Sequence, residues 1–227
     1  METVEMKVIA RIRSDFGSKF GIPRQSGLVD SLRAEIVFEP EFRTPEALRG
    51  IEGFSHLWLL WYFSAAERGE WSPTVRPPRL GGNRRVGVFA TRAPYRPNPL
   101  GLSCVRLLGV ESDAARGSVL VVSGADLMDG TPIFDIKPYA PYADAHPDAT
   151  GSFASTRPET FPVDCPPEEL AKLPEAKREA LLGVLAQDPR PRYQHDASRV
   201  YGMDFAGFNV KFRVAGGTVH VAAIERN

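Results

Sequence analysis

The sequence predicts a mainly β protein, an antiparallel β-barrel domain followed by a small C-terminal α+β domain of one helix plus a hairpin. Three observations carry this. Over the first two-thirds of the 227 residues, short apolar, β-branched segments are separated by Gly/Pro turns. No long amphipathic helices alternate with them, so a parallel βαβ sheet is not predicted. The chain then closes on a helical pattern and an alternating pair of segments around a glycine turn.

The predicted strands are Val4–Arg13, Glu35–Glu39, His56–Phe63, Arg85–Thr91, Leu102–Glu111, Ser118–Ser123 and Pro132–Tyr139. Thr44-Pro45-Glu46-Ala47-Leu48 predicts a short helix, with Thr44 as its cap and Pro45 pre-set at the first helical position. From Asp144-Ala145-His146-Pro147 to Pro167 the chain reads as loop. A helix is predicted over Pro174–Gln187, with Ala180, Leu181, Val184 and Leu185 on one face, and Asp188-Pro189-Arg190-Pro191 must stop it. Phe208, Val210, Phe212 and Val214 alternate up to Ala215-Gly216-Gly217, and Val219, Val221 and Ala223 alternate beyond it. The expected division is therefore a barrel domain over 1–147, a linker over 148–167 and a small domain over 168–227. The last of these is too small to be comfortable alone, so it is expected to dock on the barrel.

The composition, 43% hydrophobic and 25% charged, is that of an ordinary globular protein. The start of the chain lacks the basic and apolar regions of a signal peptide. The longest apolar run, Leu57 to Phe63, is far shorter than the ~20 residues a membrane span needs. Cys104 and Cys165 are the only cysteines, which implies no disulfide framework. The expectation is a cytoplasmic protein without a membrane partner.

The formal net charge of zero hides an uneven distribution. Between Trp71 and Val110 there are seven arginines, no lysine and no acid; from Glu111 to Glu169 there are eleven acids against three bases. Such a tract is either a phosphate-binding surface or a set of ion pairs with the acidic stretch that follows. Arginine without lysine favours planar, bidentate recognition.

Several chemistries are excluded. Neither a dinucleotide-binding glycine loop nor a P-loop is present. His56, His146, His195, His220 and the two cysteines lack metal-ligand spacing, so no metal is expected. Cys104 lies in an apolar strand and reads as an inert thiol.

Three polar clusters remain. Gly21-Ile22-Pro23-Arg24-Gln25-Ser26-Gly27-Leu28 is a rigid loop whose amide could read an adenine edge, or simply a solvated turn. Thr91-Arg92-Ala93-Pro94-Tyr95-Arg96-Pro97-Asn98-Pro99-Leu100-Gly101-Leu102-Ser103 has a backbone stiffened by three prolines in six residues, which lowers the ordering cost of binding. It holds Arg92 and Arg96 for phosphate or carboxylate and Tyr95 for base stacking. Gly124-Ala125-Asp126-Leu127 and Asp129-Gly130-Thr131-Pro132 through Asp135 and Lys137 bring carboxylates to strand ends, where they could meet a ribose or a cation, or pair with the upstream arginines.

Together Pro23-Arg24-Gln25, Phe54-Ser55-His56-Leu57-Trp58, Pro77-Pro78-Arg79-Leu80-Gly81-Gly82, Gly87-Val88-Phe89-Ala90-Thr91-Arg92, Arg96-Pro97-Asn98-Pro99-Leu100-Gly101 and Asp129 through Tyr139 closely resemble, in family order, the motifs of the TrmO family. These are tRNA (N6-threonylcarbamoyladenosine) N6-methyltransferases. Ala186-Gln187-Asp188-Pro189-Arg190-Pro191 and Phe208-Asn209-Val210 resemble the small C-terminal domain of its bacterial members. The resemblance implies a β-barrel methyltransferase that works as a homodimer. It would use S-adenosylmethionine to methylate threonylcarbamoyladenosine beside the anticodon of threonine tRNA. It also implies a cofactor pocket of Pro23, Arg24, Gln25, Ser26, Phe63, Arg92, Leu102, Gly124, Asp126 and Leu127. Arg84, Arg85, Tyr95, Arg96, Asn98 and Lys137 are the expected RNA-facing residues. The catalytic residue stays open among Arg96, Asp126, Asp135, His56 and a carboxylate of the substrate. The competing class is a non-catalytic RNA-binding barrel that reads unpaired bases through arginine and tyrosine.

Overall fold

The protein is described from a computed structural model covering residues 2–66, 71–191, 194 and 196–227. In chain order the strands of the first part are β1 Ala10–Arg13, β2 Arg33–Phe38, β3 His56–Tyr62, β4 Thr74–Val75, β5 Val86–Gly87, β6 Leu100–Asp113, β7 Gly117–Ser123 and β8 Pro132–Pro138. The second part contains β9 Val163–Asp164, β10 Tyr201–Phe205, β11 Phe208–Ala215 and β12 Thr218–Arg226. The helices are α1 Pro141–Asp144, α2 Pro167–Leu170 and α3 Glu175–Ala186.

Six strands form one antiparallel sheet in the order β1-β2-β7-β6-β3-β8, and β8 also pairs with β1 through Ala10↔Ile133 and Arg11↔Pro132. Period-2 alternation decides which side chains face its core. Ala10 and Ile12 of β1, Ala34, Ile36 and Phe38 of β2, and Leu57, Leu59 and Trp61 of β3 are all buried in it. Trp58, Leu60 and Tyr62 of β3 take the opposite, half-buried face.

Two predicted strands are corrected. Of Val4–Arg13 only Ala10–Arg13 is strand, although Ile9 still donates a backbone bond to Ile133. Of Arg85–Thr91 only Val86–Gly87 pairs, with β4 as its partner. Val88–Ala90 turns instead into a 3-10 helix, because both the amide and the hydroxyl of Thr91 bond to the Val88 carbonyl. Pro45–Leu48 is likewise a 3-10 turn, and the Thr44 hydroxyl bonds the Glu46 carboxylate rather than a backbone amide.

The second part is a small α+β unit. β10, β11 and β12 form an antiparallel meander, and β9, inside the stretch read as loop, adds in parallel to β12. Helix α3 buries Ala180, Leu181, Val184 and Leu185 against this sheet. Its core is not confined to the C-terminal residues, since Phe16, Val29 and Leu32 lie in the same cluster. Gly183 shows how close the approach is: a Cβ there would sit 2.6 Å from a methyl carbon of Val29. Lys177 of α3 pairs with Asp15 at 2.7 Å, and the Ala206 amide donates to the Asp15 carbonyl. The segment between β1 and β2 is therefore clamped by the C-terminal unit. Its middle, residues 23–26, is the Pro-Arg-Gln-Ser loop.

Candidate functional site

One end of the six-stranded sheet opens into a cavity of about 710 Å³. Its walls come from segments far apart in sequence. The end of β3 supplies Trp61 and Tyr62, with Phe63 just beyond, and the start of β6 supplies Leu100, Gly101 and Leu102. The clamped loop supplies Pro23, Arg24 and Gln25 on one side; the proline-stiffened segment supplies Arg92, Arg96 and Asn98 on the other. Among the described residues, Asp126 is the only carboxylate that lines the cavity.

The β3–β6 register explains the apolar wall. Trp61 lies opposite Gly101, and a Cβ at Gly101 would be 2.2 Å from the Trp61 ring, so only glycine lets the indole lie flat against the neighbouring strand. The Trp61 and Phe63 rings meet with centroids 4.3 Å apart. The indole N–H of Trp61 donates to Ser103 Oγ at 3.0 Å, and the Ser103 hydroxyl donates to Asp126 Oδ1 at 2.6 Å. Ser103 is buried, so the hydroxyl that holds the carboxylate is shielded from solvent.

Burial pushes the Asp126 carboxyl above the usual carboxylate range. The Ser103 hydrogen bond opposes that shift, followed by backbone bonds and the charge of Arg92. Arg92 donates to Gln25 Oε1, which joins the two loops across the cavity mouth. Arg96 is anchored through its guanidinium to the carbonyls of Thr91, at 2.7 Å, and Val88. Burial, with the Asp144 charge adding to it, pushes the Cys104 thiol up and keeps it neutral.

Of the predicted cofactor residues, Pro23, Arg24, Gln25, Phe63, Arg92, Leu102 and Asp126 meet at this one cavity. The other three stand behind it. Ser26 Oγ accepts from the Cys104 amide, the Gly124 carbonyl accepts from the Gly27 amide, and Leu127 is buried in the sheet core. Of the catalytic candidates, Arg96 and Asp126 line the cavity. Asp135 instead pairs with Lys137 at 2.8 Å, and neither lines the cavity; His56 bonds Ser55 and also lies away from it. Arg85 and Tyr95 line an adjoining groove, whereas Arg84 is exposed outside both. His195 lies outside the described residues. Among the described residues, no group of three His, Cys, Asp or Glu could hold a metal ion, and no helix is long and apolar enough to cross a membrane.

Sequence reasoning brought the end of the Trp58–Phe63 strand and the Thr91–Ser103 segment to the site but assigned no role to Trp61, Gly101 or Ser103 individually, because a tryptophan, a glycine and a serine on strands read as packing. The available signal was that Gly101-Leu102-Ser103 close the proline-rich cluster.

The tRNA-methyltransferase O N-terminal domain matches residues 11–145, and the TrmO C-terminal domain matches residues 158–227. The chain is 43% identical over 235 residues to the tRNA (adenine(37)-N6)-methyltransferase of Escherichia coli, covering 99% of each chain. It is 45% identical over 209 residues, 88% of each chain, to a putative S-adenosylmethionine-dependent methyltransferase RcsF of Pseudomonas aeruginosa. A crystal structure of TrmO from the same species superposes with a TM-score of 0.81 at 36% identity, covering 100% of this chain and 99% of that one.

Proposed function

The chain belongs to the tRNA-methyltransferase O family, and from that premise we propose that it is an S-adenosylmethionine-dependent methyltransferase acting on N6 of adenine 37 of tRNA, with a threonylcarbamoyl group already on that nitrogen, as in threonine tRNA. The observation that carries the reading is the cavity in which an apolar aromatic wall, five polar side chains from two rigid loops and one half-buried carboxylate converge. Its volume suits a nucleoside-sized ligand.

The residues fit S-adenosylmethionine. Trp61, Phe63 and Leu102 offer the apolar surface, Arg24, Gln25 and Arg92 offer donors, and Asp126 offers negative charge to a cationic ligand. When bound, the cofactor supplies an electrophilic methyl group. The protein's contribution is placement and proton removal. Clamped and proline-stiffened loops hold the target nitrogen in line, which is worth several kcal/mol of barrier, about 7 or more in well-oriented systems. An N6 attached to a carbonyl has a more acidic N–H than plain adenosine. Arginine is always protonated and cannot act as a base, so among the cavity-lining candidates Asp126 takes the proton. Its Oδ1 is held by Ser103, and its raised proton affinity strengthens it as an acceptor once ionised. A non-catalytic RNA module has no use for a half-buried, cavity-lining carboxylate held by a dedicated relay.

We further read the six-stranded ring as a closed β-barrel, supported by the β8–β1 pairs. A division into a first domain over 1–147 and a small C-terminal domain is in keeping with the two family matches, 11–145 and 158–227; the second begins inside the expected 148–167 linker, where β9 already joins the C-terminal sheet. A tRNA substrate supports a cytoplasmic location. A two-fold homodimer is supported by large apolar side chains left exposed outside the cavity, among them Leu108 and Tyr142.

The test is methyl transfer from labelled S-adenosylmethionine to tRNA carrying or lacking threonylcarbamoyl at position 37. Label in the modified tRNA alone is expected. Calorimetric binding of the cofactor without transfer to either tRNA would overturn the assignment.

A further inference from the structure

A second cavity, a groove of about 1260 Å³, adjoins the first and shares with it Arg24, Gln25, Phe89, Thr91, Arg92 and Pro94. Among the described residues its charged lining is entirely arginine: Arg24, Arg76, Arg79, Arg85 and Arg92, with no acid. At the junction stands Phe89, 72% exposed although the preceding Val88 is buried. The Phe89 ring lies near-parallel to Trp71, itself half-exposed, at 6.5 Å between centroids and 22° between planes. The anchored Arg96 guanidinium is 5.7 Å from the same Phe89 ring.

We propose that Phe89, flanked by Trp71 and Arg96, is a stacking platform for the unpaired base adjacent to the target adenine, and that the arginine groove takes the phosphates leading away from it. The inference rests on the first cavity being the methyl-transfer site and adds where the neighbouring nucleotide goes. Exposing a phenylalanine this fully on a 3-10 turn pinned by its own buried neighbour costs apolar burial that folding does not recover. An aromatic face beside guanidinium groups, in a groove whose described charged residues are all arginine, is the pattern that holds single-stranded nucleic acid. Every base has a π-face, and arginine adds cation–π attraction. The arginines are not all consumed internally. Arg79 is occupied by the carbonyls of Phe153 and Thr156, and Arg85 donates one N–H to the Thr74 hydroxyl. Arg76 has no hydrogen bond or ion pair among the described residues.

The experiment uses a fluorescent anticodon stem-loop RNA, with the full-length protein and its Phe89→Ala, Phe89→Leu, Phe89→Trp and Arg76→Ala variants. Affinity is read by anisotropy, S-adenosylmethionine affinity by calorimetry and mass by light scattering. Phe89→Ala and Phe89→Leu are expected to weaken RNA binding about tenfold, within the range for one stacked base, while Phe89→Trp retains it. An RNA abasic beside the target should lose the same factor with the unaltered protein and lose nothing more with Phe89→Ala. Arg76→Ala should reduce the salt slope by about 0.7. Additive losses from the abasic site and Phe89→Ala would overturn the proposal. So would a loss of cofactor affinity alone, which places Phe89 in the cofactor pocket. A changed oligomeric mass in Phe89→Ala would also overturn it, by showing that a second copy covers the ring. Methyl transfer by the unaltered protein is measured separately, so failure of the enzyme assignment is not mistaken for failure of the platform.

Discussion

Gly101→Ala tests the geometry of the site most directly. The added Cβ would lie 2.2, 2.4 and 2.5 Å from three ring atoms of Trp61, where ordinary carbon contacts are about 3.5–4 Å. The ring must therefore retreat by more than about 1 Å, yet it is held by Ser103 Oγ at 3.0 Å and by Phe63 at 4.3 Å. Overpacking costs about 1–3 kcal/mol. Loss of the indole hydrogen bond adds about 1 kcal/mol. Removing a glycine from a strand returns about 0.5–1 kcal/mol through the unfolded chain. The net is a destabilisation centred on about 2 kcal/mol, roughly 4–8 °C in Tm for a chain of this size. Urea unfolding at unchanged m-value measures it, and calorimetry should show a parallel loss of S-adenosylmethionine affinity, because Ser103 also positions Asp126. Gly109→Ala on the same strand is the control, since a Cβ there meets nothing within 4 Å. If the two variants unfold alike and bind the cofactor alike, the relay from Trp61 to Asp126 is not what organises the cavity.

Asp126→Asn should lower turnover by about 10²-fold or more without weakening the fold at neutral pH, measured by methyl transfer and by urea unfolding. Because the folded carboxyl titrates above its usual 3.8, the folded state holds a proton that the unfolded chain has already lost. The parent should therefore gain stability as pH falls through the raised value toward 3.8, and an identical slope in Asp126→Asn would refute the assignment. Arg92→Ala removes a cation that holds that carboxyl down, so the acid limb of the pH–turnover profile should move to higher pH while the protein stays folded; an unmoved limb would disconnect the two groups. Leu181→Ala, in a fully buried position of α3, should cost about 2–5 kcal/mol and also weaken cofactor binding through the clamped Pro23–Ser26 loop. Cofactor affinity unchanged in the folded variant would mean that the loop holds its shape without the C-terminal core.

What was legible in the sequence was what local physics controls. Leu57, Leu59 and Trp61 alternate with Trp58, Leu60 and Tyr62, and that period of two fixes which side of β3 faces the core. The α3 face of Ala180, Leu181, Val184 and Leu185 follows equally from a period of 3.6. The polar clusters were visible because arginine, glutamine and aspartate amid prolines and glycines have no packing role to explain them. β10 was missed although Tyr201, Met203 and Phe205 alternate, because Gly202 and Asp204 lower strand propensity and only pairing with β11 overrides them. Non-local contact settled the rest. Asp126 and Asp135 are equally good carboxylates on paper. The chain's path buries the first against Ser103 and leaves the second paired with Lys137. Phe16, Val29 and Leu32 belong by sequence to the first part and by packing to the core of the second. That core holds the Pro-Arg-Gln loop at the cavity, and no local pattern encodes it. Side-chain periodicity is a property of a few consecutive residues, whereas a site built from residues 23, 61, 92, 102 and 126 exists only once strand pairing and burial bring them together.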